Sequence, residues 1–221
     1  MDLKMLLTMN QKSEIKIMGK AVKIFVEGIA DVKFISDYIS HIIPKIETIG
    51  KETIIDSSGW TNNRETSQNL MQQNTDNAGI NLVIFDADNE FEKRVKELEE
   101  WKKSASLSFE IFLFPNNKEA GALENLLEEI ILDNNKPIFD CWNGYESCLK
   151  SKTIEGRKEP LTVPAKKTKI YGYLETLLGT TKKEKEKIKE KNRDYKNTAH
   201  WNLDSAHLEP LKDFLLKHIN A

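Results

Sequence analysis

Cysteine and histidine are scarce in this chain, two and four of its 221 residues. Cys141 and Cys148 stand seven apart, with no CxxC pair and no Cys/His spacing of a zinc site, so two reduced thiols are expected and a soft-ligand metal centre is not. Nowhere do eighteen apolar residues follow one another, and no membrane span is expected. The apolar stretch near the N-terminus is broken by Lys4, Asn10, Gln11 and Lys12, too soon for a secretory signal. The cytoplasm is the expected compartment. A charge excess is missing as well: 33 Lys and Arg against 35 Asp and Glu leave a net of -2, which argues against a basic coat for nucleic acid.

That balance hides an asymmetry. Between residues 166 and 196 there are 11 Lys or Arg and 5 Asp or Glu, a local charge of +6, which leaves -8 for the rest. A negative body with one positive arm follows. The hydrophobic set is 39% of the chain, enough to build a packed core in one principal unit rather than a disordered polymer.

From residue 21 the pattern is apolar run, polar turn, amphipathic segment, repeated, which predicts parallel strands joined by crossover helices. Residues 21–26 (AVKIFV) form a β-branched and aromatic strand ending at Glu27-Gly28, and residues 31–43 have helical spacing until Pro44. A second strand is expected over 52–56 and a polar helix over 64–73. The clearest strand is 80–85, ending in Asp86-Ala87-Asp88, followed by a charged helix over 90–103. A fourth strand at 108–114 closes on Pro115-Asn116-Asn117, where the asparagines read as turn residues, and a helix follows over 123–132. Beyond it the rhythm is helical, over 138–149, 170–178, 182–192 and 207–219. The expected division is an N-terminal segment 1–20, an α/β core 21–135 with about four mainly parallel strands, and a helical C-terminal extension 136–221 packed on that core. In that extension Trp201, Leu203, Leu208, Leu211, Phe214 and Leu215 dock a final helix, with Asp204 or Ser205 as its cap.

In open parallel sheets ligands gather beyond the carboxyl ends of the strands, where strand order reverses. If the first and third of these strands are neighbours, with the second on the other side of the first, Glu27, Asp86 and Asp88 face one crevice. Crowded carboxylates repel one another and protonate unless a cation neutralises them, and an all-oxygen set selects magnesium or manganese over zinc. Asp31, four residues after Glu27, lies in the first helical turn and approaches the same place.

These residues carry a resemblance. Phe25-Val26-Glu27-Gly28 with Asp31 and Phe34, then Asp86-Ala87-Asp88, resembles the TOPRIM fold of topoisomerases, primases and related nucleases. The passage from Phe114-Pro115-Asn116-Asn117 into Gly121-Ala122-Leu123-Glu124 is more narrowly similar to the TOPRIM domains of OLD-family nucleases and of small prokaryotic TOPRIM-like proteins. The resemblance covers residues 21–135 and implies a Rossmann-like TOPRIM core. It also implies that Glu27 is a catalytic acid/base or ligand, that Asp86 and Asp88 hold metal, and that Asp31 and Glu124 extend the site toward a second ion. One or two Mg2+ or Mn2+ ions would serve phosphodiester hydrolysis. The sequence departs from larger relatives in having no ATPase domain and no topoisomerase tyrosine domain, so strand passage is not expected.

OLD-like nucleases also imply a catalytic lysine beyond the acidic cluster, and Lys169 is the candidate here, although a surface lysine at a helix start has the same appearance. Lys166, Lys167, Lys182 and Lys183 of the positive arm are candidate nucleic-acid contacts, with Tyr195 and Trp201 near them for base stacking. His200 and His207 have no metal spacing. The expected function is metal-dependent nucleic-acid phosphoryl transfer of nuclease type, with nucleic acid as partner and a protein partner or homo-oligomer as a further possibility. The alternative is a noncatalytic TOPRIM-like module that binds nucleic acid, nucleotide or protein.

Overall fold

A computed structural model describes residues 16–17, 20–45, 53–59 and 64–219. The expectation of no secretory signal at the N-terminus, and residue 52 of the second expected strand, lie outside these. Four parallel strands, β2 (Lys20–Val26), β3 (Ile54–Asp56), β4 (Ile80–Asp86) and β5 (Glu110–Phe114), run side by side in the order β3-β2-β4-β5. A two-residue strand, β1 (Lys16–Ile17), pairs antiparallel with the start of β2. The order reverses between β2 and β4, which are in register from Val22 with Ile80 to Val26 with Ile84. The strand ends bearing Glu27 and Asp86 are therefore neighbours.

The period-2 alternation of each strand separates two apolar layers. Ile24 and Val26 of β2, Leu82 and Ile84 of β4, and Phe112 and Phe114 of β5 face one layer with α1 (Ile29–Ile42) and α4 (Leu123–Glu129). Phe25, Val83, Phe85 and Leu113 face the other, closed by Met71 of α2 (Arg64–Asp76) and by Leu98 and Trp101 of α3 (Phe91–Ser104). The sheet is thus sandwiched between helices, the α/β arrangement that the strand–helix rhythm predicts. Among the described residues no helix is long and apolar enough to cross a membrane.

The C-terminal half adds α5 (Lys136–Ser151), α6 (Lys166–Leu178), α7 (Lys182–Ile188) and α8 (Glu209–Ile219). Ile170, Tyr173, Leu174, Ile188, Tyr195, Trp201, Leu208, Leu211 and Leu215 share one apolar cluster with β2, β4 and β5, so this half supplies part of the wall over the α1 face of the sheet. Phe214 meets Phe112 of β5 at 5.4 Å between ring centroids, and the Ser205 hydroxyl caps the turn before α8 by accepting from the His207 amide.

Several boundaries differ from the sequence reading, each for a local reason. Helix α1 starts at Ile29 because the Asp31 carboxylate accepts from the Gly28 amide at 2.9 Å and completes the first turn. Helix α4 stops at Glu129, since the next residues pair with the C-terminal segment: Ile131 bridges Trp201, and the Asn202 amide donates to the Ile130 carbonyl. The helix expected over 182–192 breaks at Lys189. Ile188, the lone apolar residue of that charged run, is drawn into the core, and the chain turns to follow it.

A buried amide staples the sheet at its amino end. Asn81 of β4, 2% exposed, lies 2.9–3.0 Å from the Ser108 and Met71 carbonyls and the Thr75 hydroxyl, and its own oxygen accepts from Asn74. Losing that side chain leaves several buried polar groups unpaired. Asn81→Leu is expected to lower unfolding stability by about 2 kcal/mol in urea titrations, despite its greater apolarity; unchanged stability would contradict this reading of the network.

Candidate functional site

Glu27 follows the last residue of β2, Asp86 is the last residue of β4, and both strands terminate on the same rim. The Asp86 amide donates to Glu27 Oε1 at 3.3 Å, which joins the two ends directly. Asp86 Oδ1 accepts from the Leu123 amide at 3.0 Å, so the first turn of α4 is tied to β4. Gly121 bridges Asp88 in antiparallel fashion with φ +146°, a conformation that L side chains rarely adopt; a Cβ there would lie 2.9 Å from Asn125 Oδ1 and 3.0 Å from Pro115 Cδ. Its glycine lets the 121–124 turn close on the acidic strand end. Asn117 shapes the preceding loop with φ +60°, accepting from the Leu113 amide through its side chain.

Glu27, Asp31, Asp86 and Glu124 gather within electrostatic reach of one another. Burial pushes the Asp86 carboxyl up to about 7, and Glu27, Glu124 and Asp88 push it the same way against the Leu123 amide. Burial, then Asp86, raises Asp31 well above the usual carboxylate range, with Glu124 and Glu27 adding to the shift. Glu27 is raised too, chiefly by burial, although Arg94 beside it pulls downward. Asp88 sits differently: it turns out with φ +54°, its side chain 63% exposed.

Arg94 is the functional candidate that the sequence reading missed. Its Nη2 donates to Glu27 Oε1 at 2.5 Å and lies 3.3 Å from Asp88 Oδ2, while its Nε donates to the Asp86 carbonyl at 3.1 Å. One guanidinium thereby clamps both strand ends. The available signal was its place on α3 in line with Leu98 and Trp101, on the buried face of an otherwise lysine- and glutamate-rich helix.

The donor set fits a hard divalent cation in kind. All its members are carboxylates, and buried Asp31 and part-buried Asp86, neither of them ion-paired among the described residues, repel each other in a way a cation would relieve. Glu27 already has Arg94. Among the described residues no three acidic, histidine or cysteine side chains are spaced as ligands of a single ion, so binding requires Glu124 or Asp88 to swing inward.

The basic candidates disperse. Lys169 is buried, its Nζ held at 2.9 Å by both Glu128 and Asn143 and lying over the Phe139 ring, where it ties α6 to α4 and α5. Lys167 pairs with Glu190 at 2.5 Å, which raises its ammonium's pKa, and Glu124 adds weakly in the same direction. Lys166, Lys182 and Lys183 are exposed at the first turns of α6 and α7. The stacking role expected of Tyr195 and Trp201 is corrected: at 0% and 1% exposure both present no face to a base, and Trp201 instead fills the core-docking place also expected of it.

A family model described as "Protein of unknown function (DUF3226)" matches residues 21–220. No curated protein and no solved structure matches the chain.

Proposed function

The chain belongs to the DUF3226 family, and we propose that its acidic strand-end site binds one or two magnesium or manganese ions and hydrolyses phosphodiester bonds in nucleic acid, in the manner of TOPRIM nucleases of the OLD type. The observation that carries this reading is the pair of carboxylates, buried Asp31 and part-buried Asp86, at the switch point of a parallel sheet with no cationic side chain paired to either among the described residues. Asp86, Asp31 and Glu124 would hold the ions, with Asp88 swinging in from the rim. Bound there, a divalent cation lowers the pKa of a water molecule and offsets charge on the phosphate.

The chain's own groups supply the rest. Glu27, oriented by Arg94 and by the Asp86 amide, takes the proton of the attacking water. The water oxygen forms the new bond to phosphorus, and the departing sugar oxygen takes a proton from solvent. Lys167, paired with Glu190 and within electrostatic reach of Glu124, turns to the phosphate, and the exposed lysines of α6 and α7 hold the flanking backbone. The compartment that suits such a substrate is the cytoplasm.

A second reading, a noncatalytic module that binds nucleic acid or a protein, is favoured by one observation: Arg94 already neutralises Glu27. Cleavage assays on single-stranded, duplex and structured DNA and RNA, with magnesium and with manganese, separate the two. We expect slow, manganese-stimulated cleavage that falls about a hundredfold in Glu27→Gln. Equal activity in wild type and variant removes the enzyme reading, and salt-sensitive binding without cleavage selects the module.

A further inference from the structure

A second charged site adjoins Tyr195, whose hydroxyl meets Arg193. Arg193 is 3% exposed. Its Nη1 donates to the Tyr195 hydroxyl at 3.1 Å and its Nη2 to the Ile188 carbonyl at 3.3 Å, while its guanidinium carbon stands 5.1 Å from the Tyr171 ring centroid. Its Nε is buried with no hydrogen-bond partner, and no carboxylate among the described residues pairs with the guanidinium. Unlike a lysine, an arginine does not escape burial by shedding its proton. A buried cation with neither counter-ion nor full hydrogen bonding is costly. Tyr195 is not the missing anion, since burial pushes its phenol up to about 12 and keeps it protonated.

Arg193 is also one of the residues lining a cavity of about 300 Å3, with Lys187, Asn192, Asn197 and His200. That size admits a small ligand. Lys187 brings a second positive charge, Asn197 brings an amide donor, and Asn192, which already donates to the Glu186 carbonyl at 2.9 Å, keeps its second amide hydrogen for an oxygen acceptor. Asp194 is the one acid on this wall, and its Oδ1 already accepts from the Lys196 amide.

We propose that this cavity is an anion site for a phosphate group, with Arg193 as the buried countercharge and Lys187 as the contact at its mouth. It is separate from the acidic site and needs no divalent metal. The phosphate is that of a small phosphomonoester or of a nucleic-acid end; both present the same dianionic oxygens.

Calorimetric titration of the full chain in chelator tests this, with inorganic phosphate, ribose 5-phosphate and a short 5′-phosphorylated oligonucleotide as separate arms. Saturable one-site binding of phosphate is expected, about tenfold weaker in Lys187→Glu and lost in Arg193→Gln. Should Arg193→Gln fail to fold, the Lys187→Glu comparison decides. Asp86→Asn must leave the binding unchanged, which keeps this site's failure distinct from that of the acidic one. Tighter binding of one organic phosphate identifies the source. No saturable binding of any of the three, or equal binding in wild type and Lys187→Glu, overturns the proposal.

Discussion

Arg94→Met is expected to destabilise the fold by about 3 kcal/mol at neutral pH, because it leaves the part-buried Glu27 without its guanidinium and strips the Asp86 carbonyl of a donor. Loss of packing alone cannot account for that figure, since methionine fills much of the same space. Two controls isolate the charge. The double variant Glu27→Gln/Arg94→Met should recover most of the loss, because no buried charge remains unpaired. The deficit of the single variant should also shrink in acid, as Glu27 becomes protonated. Urea unfolding of the three proteins at two pH values measures both effects, and additive losses in the double variant would show that the pair is not coupled.

The second large effect concerns Asp86. Its carboxyl titrates near the ordinary value of about 4 in the unfolded chain and at about 7 in the folded one. The folded state therefore binds the extra proton between those values, and stability is lost as pH rises from about 4 through about 7. Asp31 and Glu27, raised in the same direction, titrate together with it and add to the slope. Asp86→Asn keeps an oxygen for the Leu123 amide and removes the charge. In chelator it should therefore be more stable than wild type, by on the order of 2 kcal/mol at pH 8 and by little near pH 4. Asp88→Asn, at an exposed position, should change little. A large loss of stability in Asp86→Asn at pH 8 would make that carboxylate a structural group with satisfied partners.

Strands and strand-end acids are local features, and they were legible. The run from Val22 to Val26 has to be buried whatever surrounds it, and Glu27 must then emerge at its end. The neighbourhood of β2 and β4, which brings Glu27 beside Asp86, depends on the reversal of strand order, which no local pattern fixes. Arg94 was not legible, because its partner is 67 residues away in sequence and a lone arginine in a charged helix reads as a solvated one. Lys169 shows the converse. Its place at a helix start suggested an available ammonium, but packing of α6 against α4 buried it beside Glu128, a contact no local spacing announces. Tyr195 was misplaced for a related reason: the positive charge around it invited a nucleic-acid role, while its aromatic area was needed to complete the core over the sheet, where Trp201 packs as its apolar neighbours in the sequence predict.

The claim on which the functional account rests is that this acidic rim is a divalent-cation site. Calorimetric titration of manganese into the metal-free protein at pH 8, beside Asp86→Asn under the same conditions, tests it directly. Saturable binding of one or two ions is expected in the wild type, with release of protons from the raised carboxyls, and loss of that binding in the variant. Binding that persists unchanged in Asp86→Asn, or no binding to the wild type at millimolar manganese, would contradict it.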